Sequence, residues 1–101
     1  MELSDKQLEM ISELAESAFA PGRIAFMIDV DPEVFRQLID DIAHPASIAY
    51  YKGFYTNENA VRKSIMQLAR NGSSPAQTLA MQMIERTKTE MRHEGYQSLD
   101  T

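Results

Sequence analysis

The chain of 101 residues has no cysteine, which excludes a disulfide framework, a thiolate metal site and a cysteine nucleophile. It has no run approaching about 18 consecutive apolar residues, the length that a membrane-spanning helix requires. The opening Met1-Glu2-Leu3-Ser4-Asp5 lacks the basic end and apolar stretch of a signal peptide, so a soluble protein of the cytoplasm is expected. Basic charge is scarce as well: ten Lys and Arg stand against fifteen Asp and Glu, a net charge of −5. That balance works against nucleic acid, whose binding depends on cations that neutralise phosphates. The deficit is uneven, however. Residues 1–19 carry −4, residues 20–45 carry −3, residues 46–71 carry +3 and residues 72–101 carry −1.

Glycine and proline number only four each, and nearly all of them mark boundaries. Ser4 and Gln7 form a capping box with Leu3 and Leu8 at the staple positions, so a first helix begins at Asp5. Its apolar residues Leu8, Ile11, Leu14, Ala15, Ala18 and Phe19 recur at the helical period. Ala20-Pro21-Gly22 breaks it, and a short second helix follows through Ile28. Asp31 and Pro32 supply the cap and first position of a third helix, expected to reach about Ala43 with Val34, Phe35, Leu38, Ile39 and Ile42 as its stripe. His44-Pro45 ends it. From Ala46 to Arg70 the apolar residues Tyr51, Phe54, Val61, Ile65 and Leu68 keep helical spacing, with Gly53 as a place for a kink and Thr56 or Asn57 for a fresh start. Asn71-Gly72-Ser73-Ser74-Pro75 is a stop followed by a start. Gly72 suits the left-handed position, Ser74 with Gln77 a second capping box, and a last helix runs to about His93.

The expected fold is therefore all-α. Residues 1–45 form a three-helix unit with a helix-turn-helix, residues 46–94 a long antiparallel helical hairpin, and residues 95–101 a flexible tail.

Residues 21–39 have the pattern of a helix-turn-helix, in which a small residue in the first helix lets the second approach and apolar residues fill the wedge. Ala25 is the small residue; Ile24, Ile28, Val30, Phe35 and Leu38 are the wedge. Asp29 stands where glycine is frequent in the turn and tolerates left-handed geometry better than most residues. The alternative is a helical corner that never meets DNA. On the exposed face of the third helix only Arg36 and Gln37 have the chemistry to read guanine and adenine edges. Glu33, Asp40 and Asp41 beside them repel phosphate, so one copy binds weakly and several copies are needed for avidity. Lys52, Arg62, Lys63 and Arg70 form either a phosphate-contacting stripe or an ordinary solvated surface. Tyr50, Tyr51, Phe54 and Tyr55 at helical spacing read first as packing residues that brace the hairpin against the three-helix unit, the alternative being a surface that stacks on bases or a partner. The methionines read mostly as core filling. His44 and His93 have no second ligand at metal spacing, and Asp29 and Asp31 read as turn and cap residues. No catalytic constellation stands out, so no enzyme, cofactor or metal is expected.

The runs Tyr50-Tyr51-Lys52-Gly53, Val61-Arg62-Lys63-Ser64-Ile65, Leu68-Ala69-Arg70-Asn71-Gly72-Ser73-Ser74-Pro75-Ala76-Gln77 and Leu79-Ala80-Met81, placed behind a helix-turn-helix, resemble the small terminase subunits of tailed phages and prophages. The resemblance spans residues 4–92. It implies a non-enzymatic protein of the host bacterial cytoplasm that recognises double-stranded viral DNA at the start of genome packaging and passes it to the large terminase subunit, which holds the ATPase and nuclease. It further implies a homo-oligomeric ring, with the helical hairpins as its central core and the helix-turn-helix units at the rim. By that resemblance DNA falls to Arg23, Arg36 and Gln37, with Lys52 from the basic stripe. Subunit packing falls to Val61, Ile65, Leu68, Leu79, Met83 and Ile84.

Overall fold

The computed structural model describes residues 2–96. Within them the chain is all-helical, with five helices: α1 (Asp5–Glu16), α2 (Pro21–Met27), α3 (Pro32–Asp40), α4 (Pro45–Arg70) and α5 (Ser74–His93). They fall into two compact units, Met1–Ala60 and Val61–Thr101, with α4 contributing to both. Most of the tail expected over 95–101, namely residues 97–101, lies outside the described residues.

The first unit is built around Phe35, Ile11 and Ile24, all fully buried, with Ala25, Ile28, Val30, Ile39, Ala46 and Tyr50 closing the core. α1 starts as its cap predicts: the Gln7 amide donates to Ser4 Oγ at 3.1 Å, and the Ser4 amide donates to Gln7 Oε1 at 2.9 Å. It stops earlier than the apolar stripe implies. Ala18 takes a left-handed φ of 65°, which lets the Phe19 amide donate to the Leu14 carbonyl and the Ala18 amide to the Ala15 carbonyl. This paired closure satisfies the carbonyls that a helix end leaves open. Phe19 still packs on the core, from the connection rather than from the helix.

α2 begins at Pro21 with Ala20 ahead of it, which offers no side-chain cap. Its end repeats the closure of α1: Asp29 has φ 60°, and the Val30 amide donates to the Ala25 carbonyl at 2.9 Å. The left-handed geometry anticipated for Asp29 is present. Asp31 Oδ2 then accepts from the Val34 amide at 3.1 Å and starts α3. α3 ends at Asp40, short of the expected Ala43. Asp41 Oδ1 accepts from the Ala43 amide, and the Asp41 carbonyl accepts from the His44 amide. A local side-chain bond of this kind competes with the next helical turn. Ile42, expected on the buried stripe, is consequently 82% exposed.

The helix after Pro45 is capped by His44, whose Nδ1 accepts from the Ala46 amide at 3.0 Å. It runs unbroken through Gly53, and Thr56 makes no new start: its Oγ1 donates to the Lys52 carbonyl one turn back. Gly53 has a packing reason. A Cβ there would lie far inside contact distance of the Ser12 carbonyl oxygen and 3.0 Å from the Ser12 carbonyl carbon. Only glycine lets the two backbones of α1 and α4 come so close.

Side-chain donors from other helices brace the ends of α1, α2 and α3. Gln7 Nε2 donates to the Ile28 carbonyl at 3.3 Å, Tyr50 OH to the Phe19 carbonyl at 3.1 Å, and the buried Ser47 Oγ to the Ile39 carbonyl at 2.8 Å. Helix ends and turns buried beside a core need such partners. Among the described residues no buried side-chain nitrogen or oxygen is left unpaired.

In the second unit, Gly72 has φ 99°, the Ser73 amide donates to the Leu68 carbonyl, and α4 ends as glycine at this position predicts. The cap of α5 is Ser73 rather than Ser74: Ser73 Oγ accepts from the Ala76 amide at 3.4 Å. Gln77, freed from the expected capping box, donates instead to the Ala69 carbonyl in the last turn of α4 at 3.0 Å. On α5 only Ala76 and Ala80 are buried.

Candidate nucleic-acid interface

α2 and α3 pack against each other, and the turn between them is fixed by the left-handed Asp29 and the Asp31 cap. α3 presents two sharply different faces. Phe35 and Ile39 are buried, whereas Arg36 and Gln37, the next residues after Phe35, face solvent. A step of one residue rotates the side chain by about 100° around a helix, so one buried anchor fixes the outward direction of its neighbours.

The electrostatics of that outward face are dominated by a single cluster. The Arg36 guanidinium donates from Nε to Glu33 Oε2 at 3.3 Å, from Nη2 to Glu33 Oε1, and from Nη1 to Asp40 Oδ2 at 3.2 Å. The Arg36 side chain is nevertheless 60% exposed. The bond and charge of Arg36 hold the Glu33 carboxyl below its ordinary value, and Glu33 in turn raises the guanidinium. Both groups are solvent-exposed, so the pairing orders the surface more than it stabilises the fold.

Arg23 on α2 and Lys52 on α4 are exposed like Gln37. The structure brings Arg36 together with its two acidic neighbours; it does not tie Arg23, Gln37 or Lys52 to Arg36 by a hydrogen bond or ion pair among the described residues. The four aromatics of α4 divide by face. Tyr50 and Phe54 stack at 6.0 Å on the core side, while Tyr51 and Tyr55 stack at 5.9 Å and are exposed. The packing role expected of all four therefore holds for two, because residues at i and i+4 share a face and these are two adjacent pairs.

In the second unit, Val61, Leu68, Leu79 and Ile84 are exposed, and Ile65 and Met83 are half-buried. Met66, Met83, Ile84 and Met91 line a shallow groove with Arg62, Thr87 and Lys88.

Two determinants escaped the sequence reading. Ser47 carries no motif and is recognised only through its bond to the end of α3. The Arg36 cluster did leave a signal, since Glu33 and Asp40 lie three residues before and four after it, the spacings at which side chains meet on a helix.

Compared with protein-family models, with curated proteins and with solved structures, the chain gives no match.

Proposed function

We propose that this chain is a DNA-packaging adaptor of the small-terminase type. In this reading α2 and α3 form a helix-turn-helix that engages double-stranded DNA through Arg23, Arg36 and Gln37, with Lys52 on the phosphate backbone. Residues of α4 and α5 form an antiparallel helical hairpin that assembles copies into a ring through Val61, Ile65, Leu68, Leu79, Met83 and Ile84. The ring delivers viral DNA to a large terminase subunit in the host cytoplasm, and the adaptor itself performs no catalysis.

The observation that carries the reading is the polarity of α3: Phe35 is wholly buried while Arg36 and Gln37 stand outward, the disposition a groove-reading helix requires. Exposed aliphatic residues in the second unit support self-association, because Val61 and Leu68 are 50% and 53% exposed on one chain. Among the described residues, no helix is long and apolar enough to cross a membrane.

Two measurements test the proposal together. Arg36→Glu is expected to weaken retention of duplex DNA in a mobility-shift assay at matched salt, with the helical circular-dichroism spectrum unchanged. Native mass spectrometry is expected to find an assembly larger than a dimer. A monomer at micromolar concentration rejects the ring, and a strict dimer favours a small transcriptional regulator that reads two half-sites. One observation favours another reading, a protein-interaction module that never meets DNA: the only cation of α3 is already paired with carboxylates. Failure of the wild-type chain to retain DNA even at low salt selects that reading.

A further inference from the structure

Arg36 is the only basic residue of α3, and it is gripped from both sides. Glu33, one turn before it, accepts two bonds from Nε and Nη2; Asp40, one turn after it, accepts a third from Nη1. Three of the five N–H donors of a guanidinium are thereby occupied. The triad has a formal charge of −1, and Asp41 adds to it. A DNA strand approaching α3 therefore meets a net-negative surface with carboxylates on both sides of its only cation.

The three side chains are all open to water, with Glu33 64%, Arg36 60% and Asp40 69% exposed. Exposed pairs of this kind are weak and exchange readily. Phosphate oxygens and the O6 and N7 atoms of guanine present the same acceptor geometry to a guanidinium as a carboxylate does. From this geometry we infer that Glu33 and Asp40 are intramolecular competitors for Arg36, holding it in place of DNA, so that α3 engages DNA only by exchanging these carboxylates for nucleic-acid oxygens. The inference rests on the proposed DNA-binding role of the corner.

Its consequence is a built-in threshold. A single copy is held to weak binding by its own acidic residues, and useful affinity accrues where several copies meet one duplex. Discrimination against stray contacts follows from the same exchange, since a lone phosphate gives back no more than the carboxylates supplied.

The test is a double substitution that removes the two competing carboxylates while keeping their shape. Fluorescence anisotropy of a labelled mixed-sequence duplex of about 30 base pairs is measured from about 50 to 200 mM salt for the full chain. The wild type, Glu33→Gln with Asp40→Asn, Arg36→Gln, and the triple variant are compared. Release of Arg36 from its two exposed pairs is expected to tighten binding about three- to fivefold and to steepen the salt dependence by about 0.9 per engaged copy. In the Arg36→Gln background the change in salt dependence is expected to disappear and the affinity gain to fall well below that seen with Arg36, since only the lost repulsion of the two carboxylates remains for the same change in acidic charge. A gain of equal size without Arg36 overturns the inference, since removal of negative charge alone then accounts for it. Wild-type binding that the double substitution leaves unchanged overturns it too, while the DNA-binding role stands. Absence of binding by all four proteins at the lowest salt refutes that role, and the competition falls with it.

Discussion

Replacing Gly53 by alanine adds one methyl group at the point where α1 and α4 come closest. Inside a helix this exchange is ordinarily favourable, by about 1 kcal/mol. Here the new Cβ would press on the Ser12 carbonyl oxygen, with the Ser12 carbonyl carbon at 3.0 Å and Ala15 Cβ at 3.1 Å. The obstacle is backbone, so no rotamer change relieves it. α1 must move away from α4, and that movement loosens Ile11 and Ala15, both fully buried. Overpacking typically costs about 1–3 kcal/mol, sometimes more, and the upper part of that range applies because two helix backbones have to separate. Net of the propensity gain, the expected destabilisation is about 2 kcal/mol, equivalent to a fall in midpoint of roughly 8–16 °C for a chain of this size. Thermal and urea unfolding followed by far-ultraviolet circular dichroism measure it. Gly22→Ala is the matched control: a Cβ there meets nothing within 4 Å, and its φ lies outside the left-handed range. A small gain of about 0.4–1 kcal/mol is expected from that variant. A Gly53→Ala protein as stable as the wild type refutes the close approach of α1 to α4.

Three further outcomes follow from the helix ends and the core. Ala18→Gly and Asp29→Gly each relieve a left-handed residue that carries a Cβ, and each is expected to stabilise by about 1 kcal/mol in urea titration; Gly72→Ala is expected to lose a similar amount, since its φ is 99°. Burial, with Tyr51 beside it, raises the Tyr50 phenol above its ordinary value. The unfolded chain therefore ionises first, so this part of the stability is complete below about pH 10 and is lost as the pH climbs through the native value; Tyr50→Phe is expected to flatten that alkaline loss while giving up the bond to the Phe19 carbonyl at neutral pH. Ser47→Ala removes the hydroxyl that donates to the Ile39 carbonyl, and a loss of about 1–2 kcal/mol in urea titration is expected.

Helix starts were legible because capping leaves a mark in the residues: Ser4 with Gln7, Asp31 with Pro32, and Pro21 each begin a helix where expected. Helix ends were legible where a residue suited to left-handed geometry performs the turn, as at Asp29 and Gly72. Ala18 adopts the same left-handed geometry without any such mark, so the apolar period ran three residues past the real end of α1, to Phe19. α3 fell short for a different reason, a side-chain bond from Asp41 that periodicity does not register. At the start of α5 the cap expected at Ser74 falls one residue earlier, on Ser73, whose amide donates a hydrogen bond to the Leu68 carbonyl and whose Oγ accepts from the Ala76 amide. Gly53 looked like a weakness in a long helix until the nearness of Ser12 gave it a purpose, which is tertiary information that no local pattern carries. At the candidate interface, the outward direction of Arg36 and Gln37 followed from the period once Phe35 was taken as buried. The ion pairs were present in the spacing of Glu33, Arg36 and Asp40, but acidic neighbours were weighed as repulsion toward phosphate rather than as ligands of the arginine.

The most direct measurement is a nuclear magnetic resonance titration of the isotope-labelled chain with duplex DNA at low salt. The account predicts that amide and side-chain shifts concentrate on Arg23, Arg36 and Gln37, with the Arg36 guanidinium moving as its carboxylate partners are exchanged for DNA. Shifts confined to α5, or a spectrum unmoved by excess duplex, would contradict it.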